Sequence, residues 1–202
     1  DPGNAPIQGD VDTWVRGFLV PAGLTPIIPG YGYTRSSIWP DNTNTTYLKE
    51  SYLAQYLDFS VKVWRCAGDK SMAAPSLPRV RSYSMNNYLN SPGRGWPDPW
   101  KIIRKRTEIV RPPPSQTFVI LDEREDSINN SYFGLDMHNG PAGLGAAPAN
   151  YHNQAGNLVF ADGHAEKHKW LDARTKALSH DWVPWPPNPD VLWLRERTTG
   201  RK

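Results

Sequence analysis

Apolar and polar positions alternate with a period of two in only a few places along this chain, and one of them is well punctuated. Asn157–Ala161 (NLVFA) reads as a short apolar strand, Asp162-Gly163 as a tight turn, and Ala165–Leu171 as a second extended run ending beside Trp170. Two such runs separated by Asp-Gly predict a β-hairpin whose central residues take positive φ, which Asp tolerates and Gly adopts without a Cβ clash. Phe118–Leu121 (FVIL) predicts a central strand, and Tyr132–Leu135 a short edge strand. Val61–Cys66 (VKVWRC) reads as a further strand, and Tyr83–Leu89 as strand or turn. Val11–Leu19 reads as a short strand or an irregular hydrophobic anchor.

A different period governs Thr46–Leu57. Tyr47, Leu48, Tyr52, Leu53, Tyr56 and Leu57 recur three and four apart, which predicts an amphipathic helix with Lys49, Glu50 and Gln55 toward water. Asn44, Thr45 and Thr46 are capable caps at its start. Leu171–Leu178 reads as a short helical or turn segment, and Val191–Leu194 as a last apolar patch. The rest is loop. With 20 prolines and 16 glycines in 202 residues, the predicted class is α+β: a small antiparallel sheet, one amphipathic helix and long Pro/Gly-rich loops. No repeat or composition break divides the chain, so residues 1–202 read as one domain with an irregular N-terminal lead and a C-terminal extension.

Charge narrows the partners. A net charge of +3 from 23 basic and 20 acidic residues is too balanced for a nucleic-acid binder, and the basic run Lys101–Arg106 reads as a solvated face. The single Cys66 excludes an intrachain disulfide. The chain shows no signal peptide and no apolar run long enough to span a membrane.

Three groupings could carry chemistry. Asp122, Glu123, Glu125 and Asp126, with Asn129, place hard oxygens in one turn after a strand, which makes calcium the cofactor to test; the same residues suit an acidic solvated turn. His164, Glu166 and His168 alternate and would share one face of the second hairpin strand, with His152 and Asp162 near in sequence. That set could ligate zinc or copper, although its spacing matches no strong signature and equally describes a wet sheet face. Tyr31, Tyr33, Trp39, Trp96, Trp100, Trp182 and Trp185 all fall in loops, where they could stack on polysaccharide or pin the loops to the body. No catalytic residue is assigned: the chain has no GxSxG elbow, no HExxH and no phosphate loop.

His152, nine intervening residues, then Asp162-Gly163 resembles the signature of the prepilin-type processing-associated H-X9-DG family of pseudopilin-like proteins. The resemblance extends through HNQAGNLVFADGHAEKHKW. It includes VKVWRCAGD at Val61–Asp69, RSYSMNNYL at Arg81–Leu89 and PPPSQTFVILDE at Pro112–Glu123. It implies a pilin-like α+β head at the cell envelope or outside the cell. In such proteins a leader peptidase acts on a prepilin leader, and an apolar N-terminal helix anchors the head at the periplasmic face of the inner membrane; that leader and helix are absent from these 202 residues. The resemblance also implies a structural rather than enzymatic role. The partners would be other pseudopilins, secretion-system proteins, or an exported protein or polysaccharide. A polysaccharide-binding module and a hydrolase of polymers on the same scaffold are the alternatives.

Overall fold

The computed structural model describes residues 14–17, 19, 39–74, 77–90, 99–138, 142–177, 183–184 and 188–202. They build a mixed α+β fold with a five-stranded sheet and a few short helices. Among the described residues no helix is long and apolar enough to cross a membrane. The backbone groups into two compact units, one from Asp1–Tyr83 with Glu125–Ser131 and the other from Ser84–Arg124 with Tyr132–Lys202.

The second unit carries the sheet. Its strands are β3 (Tyr83–Asn86), β4 (Phe118–Asp122), β5 (Tyr132–Phe133), β7 (Ala155–Phe160) and β8 (Ala165–Lys169), in the order β5-β3-β4-β7-β8, while β6 (Ala142–Leu144) pairs separately with Val183–Pro184. β4 is central and β5 lies at an edge, as the apolar runs predict. The hairpin is also present: β7 and β8 pair antiparallel from Ala155↔Lys169 to Val159↔Ala165. One expectation is corrected here. The sheet is mixed, because β3 and β5 run parallel through Met85↔Tyr132 and Asn86↔Phe133. A parallel neighbour needs a long connection, and alternation within a four-residue strand carries no information about the direction of its partner.

Phe118, Leu121, Phe133, Leu158, Phe160 and Trp170 form the core of this unit with Leu135, Leu144 and Tyr88. The helix Pro189–Arg195 closes it by burying Val191 and Leu194. Asn188 caps that helix through its side chain, which accepts from the backbone N–H of Asp190 (2.9 Å) and Val191 (3.3 Å). Asn86 is fully buried in β3, and its amide donates to the carbonyls of Phe118 (3.0 Å) and Thr198 (2.9 Å), tying the central strand to the C-terminal segment.

The first unit is organised around Trp14 stacked on Trp64, with ring centroids 5.3 Å apart. The Trp14 indole N–H donates to the Ser131 carbonyl. Val15, Leu19, Leu48 and Ala54 are buried with them, so Trp14, Val15 and Leu19 act as an irregular anchor, while residues 11–13 and 18 of that expected stretch lie outside the described residues. A small hairpin pairs β1 (Met72–Ala74) with β2 (Leu77–Pro78).

The amphipathic helix over Thr46–Leu57 does not form as one element. A single helical turn, Thr46–Lys49, is followed by a separate 3₁₀ turn, Ala54–Leu57. Ser51 ends the first turn: its hydroxyl donates to the Leu48 carbonyl at 2.9 Å, which is how a serine competes with the helix ladder. Asp58 and Phe59 then take left-handed φ of 49° and 53°. With the period broken, Tyr52 and Tyr56 stand 66% and 78% exposed, while Leu48 and Ala54 are buried. Val61–Cys66 is likewise no strand: Lys62–Trp64 is a 3₁₀ turn that buries Trp64. Leu171–Leu178 yields the short helix Ala173–Lys176, capped by Asp172.

Candidate functional site

The residues of the H-X9-DG pattern lie at the two ends of the β7–β8 hairpin. At the tip, Ala161, Asp162 and Gly163 form a three-residue loop. Gly163 N–H donates to the Phe160 carbonyl and Phe160 N–H to the His164 carbonyl, both at 2.9 Å. Only Gly163 is left-handed, at φ +99°, so the expectation of positive φ at both turn residues is corrected. Three-residue hairpin loops place the left-handed residue last, where glycine is favoured. Asp162 caps the loop by accepting from the His164 backbone N–H (3.1 Å), and its carboxylate also meets His164 Nδ1 at 2.6 Å. That imidazole stacks on Phe160 with ring centroids 4.4 Å apart. The His164 contacts hold the exposed Asp162 carboxyl below its usual range.

At the root, a turn through Asn153 and Gln154, both left-handed (φ 62° and 61°), folds His152 back over the sheet. His152 N–H donates to the Ala155 carbonyl, and Trp170 N–H to the Gln154 carbonyl. His152 Nε2 lies 3.5 Å from Oδ2 of Asp122, the last residue of β4. Asp122 is 0% exposed. Its carboxylate accepts from the Asn157 backbone N–H (2.8 Å) and from the Asn157 side chain (3.4 Å). Burial nevertheless pushes the Asp122 carboxyl up to about 7, because the cost of removing a carboxylate from water exceeds what those hydrogen bonds return. Asp122 can therefore take up or release a proton near neutral pH, and its contact with His152 braces the turn. Trp170 completes the root by donating its indole N–H to the Ala149 carbonyl at 2.8 Å. Gly156 sits where these groups converge. A Cβ there would come within 2.9 Å of the Ala149 carbonyl oxygen, Asp122 Oδ1 and Trp170 Cζ2.

The expected calcium site does not form. Asp122 and Glu123 are buried at 0% and 1% exposure, in and just after β4, while Glu125 and Asp126 are half-buried. Among the described residues no three of these carboxylates come together as potential ligands, whereas calcium takes six to eight oxygens, so calcium is withdrawn.

His164, Glu166 and His168 are also not gathered into a ligand set. His164 is turned onto Phe160 and Asp162. Glu166 and His168 share a face of β8, but the His168 ring stacks on Trp193 (3.7 Å between centroids, 15° between planes) and meets Trp170 edge-on. Burial in this stack lowers the His168 pKa, against the pull of Asp190 and Glu166. Arg197 lies over the other aromatic of the group, 4.1 Å from the Trp193 ring centroid.

Of the aromatic stacking candidates, Trp100 is half-buried with the Arg201 guanidinium over its ring at 5.3 Å. The backbone of Trp39 begins a 3₁₀ turn and its side chain lies outside the described residues, as do Tyr31, Tyr33, Trp96, Trp182 and Trp185. Sequence reasoning missed the Asp122–His152 contact and the Gly156 crossing. The available signals were a single aspartate ending an apolar strand and a glycine opening another. No family model, curated protein or solved structure matches the chain.

Proposed function

We propose that this chain is the head of a pseudopilin-like structural protein of the cell envelope, with a pilin-like fold, and that it works through protein–protein contacts rather than catalysis. Its partners would be other pseudopilin-like or secretion-system proteins and the material they export. The observation that carries the reading is the use made of the pattern residues. Three of the four segments that carry the resemblance supply β3, β4 and the β7–β8 hairpin of one sheet. Their polar side chains, Asn86, Asp122 and Asn157, are spent on bonds between those segments. Residues so engaged build a framework and leave the loops to vary, which suits a family of heads with different partners.

The test is the native gene and its product. A prepilin leader and an apolar stretch of about 20 residues are expected upstream of Asp1. Cross-linking in intact cells is expected to join the processed protein to other envelope proteins that carry such a leader. A reading frame without that stretch, or a product recovered only from the cytoplasm, would overturn the proposal.

A further inference from the structure

β8 (Ala165–Lys169) is the outermost strand of the sheet, and its pairing with β7 fixes where its remaining backbone groups point. In an antiparallel ladder, residue pairs that exchange hydrogen bonds alternate with pairs that do not. Trp170 N–H donates to the Gln154 carbonyl and Phe160 N–H to the His164 carbonyl, so the bonded pairs fall on even-numbered residues. The register between them is unbroken, from Ala155↔Lys169 to Val159↔Ala165. Glu166 and His168 therefore bond to β7, whereas Ala165, Lys167 and Lys169 direct their N–H and C=O groups away from the sheet. Among the described residues those outward groups have no hydrogen-bond partner.

The open edge is bounded at both ends. Toward the root, the next outward N–H is that of Leu171, and the Asp190 carboxylate takes it at 2.9 and 3.1 Å. At the tip, the Phe160 carbonyl takes the Gly163 N–H. Between these stops lies the length of one five-residue strand. Ala165, Lys167 and Lys169 share a face and are exposed, and among the described residues neither lysine has an ion-pair or hydrogen-bond partner. Val159, opposite Ala165 on that face, is 40% exposed.

A second copy of β8 fits this edge poorly. The antiparallel register that bonds every outward residue sets Lys167 against the Lys167 of the other copy. A shift of two residues one way sets Lys167 against Lys169, and the opposite shift sets Glu166 against Glu166. Like charges directly opposite each other destabilise a pair, and lysine on an edge guards against self-association. We infer that the β8 edge binds an extended acidic segment of another protein, which adds an antiparallel strand to the sheet. Its backbone bonds to Lys169, Lys167 and Ala165 in turn. Its first and third side chains are carboxylates facing Lys169 and Lys167, and its fifth is apolar, over Ala165 and Val159. The unpaired backbone row selects an extended polypeptide, and the side chains select its sequence. The inference goes beyond the envelope reading and does not depend on it.

An amide NMR titration of the full chain tests it with the peptide acetyl-Ser-Asp-Thr-Glu-Thr-Val-Ser-amide. A Kd on the order of 1 mM or tighter is expected for so short a strand, with the largest shifts at Ala165, Lys167 and Lys169. N-methylation of the peptide's Glu removes the N–H that bonds to Lys167 and is expected to weaken binding at least about tenfold. N-methylation of the Thr before it alters an N–H that points away from β8 and is expected to cost less than about twofold. The double variant Lys167→Glu/Lys169→Glu is expected to lose the acidic peptide about tenfold and to bind the same peptide with Lys in place of Asp and Glu.

Equal losses from the two N-methylated peptides would overturn the inference, because charge alone would then hold the peptide. Absence of shifts at about 5 mM peptide, or shifts centred away from β8, would also overturn it. So would a concentration-dependent dimer formed through the Ala165, Lys167 and Lys169 amides without peptide, which would make a second copy the occupant.

Discussion

An aspartate lies beside a histidine at each end of the β7–β8 hairpin, and the two pairs behave in opposite ways. At the tip, Asp162 and His164 meet at 2.6 Å in solvent, and the contact holds the aspartate's carboxyl below its usual range. At the root, the fully buried Asp122 faces the partly exposed His152 at 3.5 Å, and burial pushes its carboxyl up to about 7. The same two side chains give opposite shifts because hydration, not the partner, decides the sign. In water a carboxylate loses little by pairing; inside the fold it loses its solvent and regains only what nearby donors supply. The tip is a local device, defined by three residues and one left-handed glycine. The root is a tertiary device that joins β4, the turn at His152, β7 and Trp170.

Substitutions should separate the two ends by size of effect. Gly156→Ala is expected to be the most damaging, at about 3 kcal/mol of unfolding free energy, since its methyl would overlap a backbone oxygen, the Asp122 carboxylate and the Trp170 ring together. Denaturant unfolding would show it as a lowered midpoint with an unchanged slope. A loss under about 1 kcal/mol would mean that the root relaxes freely and the contrast with the tip is false.

Asp122→Asn comes next. The folded protein keeps a proton on Asp122 that the unfolded chain releases near pH 4, so this group's contribution is complete below that pH and lost as pH rises toward about 7. The substitution should remove that slope and raise stability at pH 8 by on the order of 2 kcal/mol relative to the parent. Melting temperatures of both proteins from pH 4 to 8 would reveal parallel curves if the carboxyl does not titrate in this window.

At the tip, Gly163→Val should cost about 1–2 kcal/mol. Its cause is purely the left-handed backbone, because a Cβ at Gly163 meets nothing within 4 Å. Gly163→Asn, which tolerates that conformation, should recover most of the loss. An equal cost for Asn and Val would point to a contact rather than to φ. The mildest change is His164→Ala, expected within about 0.5 kcal/mol because the pair is solvent-exposed. A larger loss would show that the stack of His164 on Phe160 carries more than surface energy.

The same contrast accounts for what could be read from the chain itself. The tip, β4 and the edge strand were legible because each depends on neighbours in sequence: Asp-Gly for the loop, an apolar run for FVIL. Asp122 reads in sequence as the first member of an acidic, calcium-binding turn, and nothing local distinguishes it from Glu125 or Asp126. Its burial depends on Asn157, 35 positions away. The helix over Thr46–Leu57 failed for the complementary reason. Its spacing was right, but Ser51 could satisfy the Leu48 carbonyl itself, and a single competing hydroxyl ended the element where the periodicity predicted continuation. The parallel β3–β5 pairing was invisible because two residues of contact leave no pattern.

One measurement bears most directly on the account, a carboxyl-carbon NMR titration that follows Asp122 and Asp162 in the same sample. The account predicts that Asp162 titrates below the ordinary aspartate range while Asp122 titrates close to neutral pH. Both resonances moving together near pH 4 would contradict it, because the root would then be as open to water as the tip.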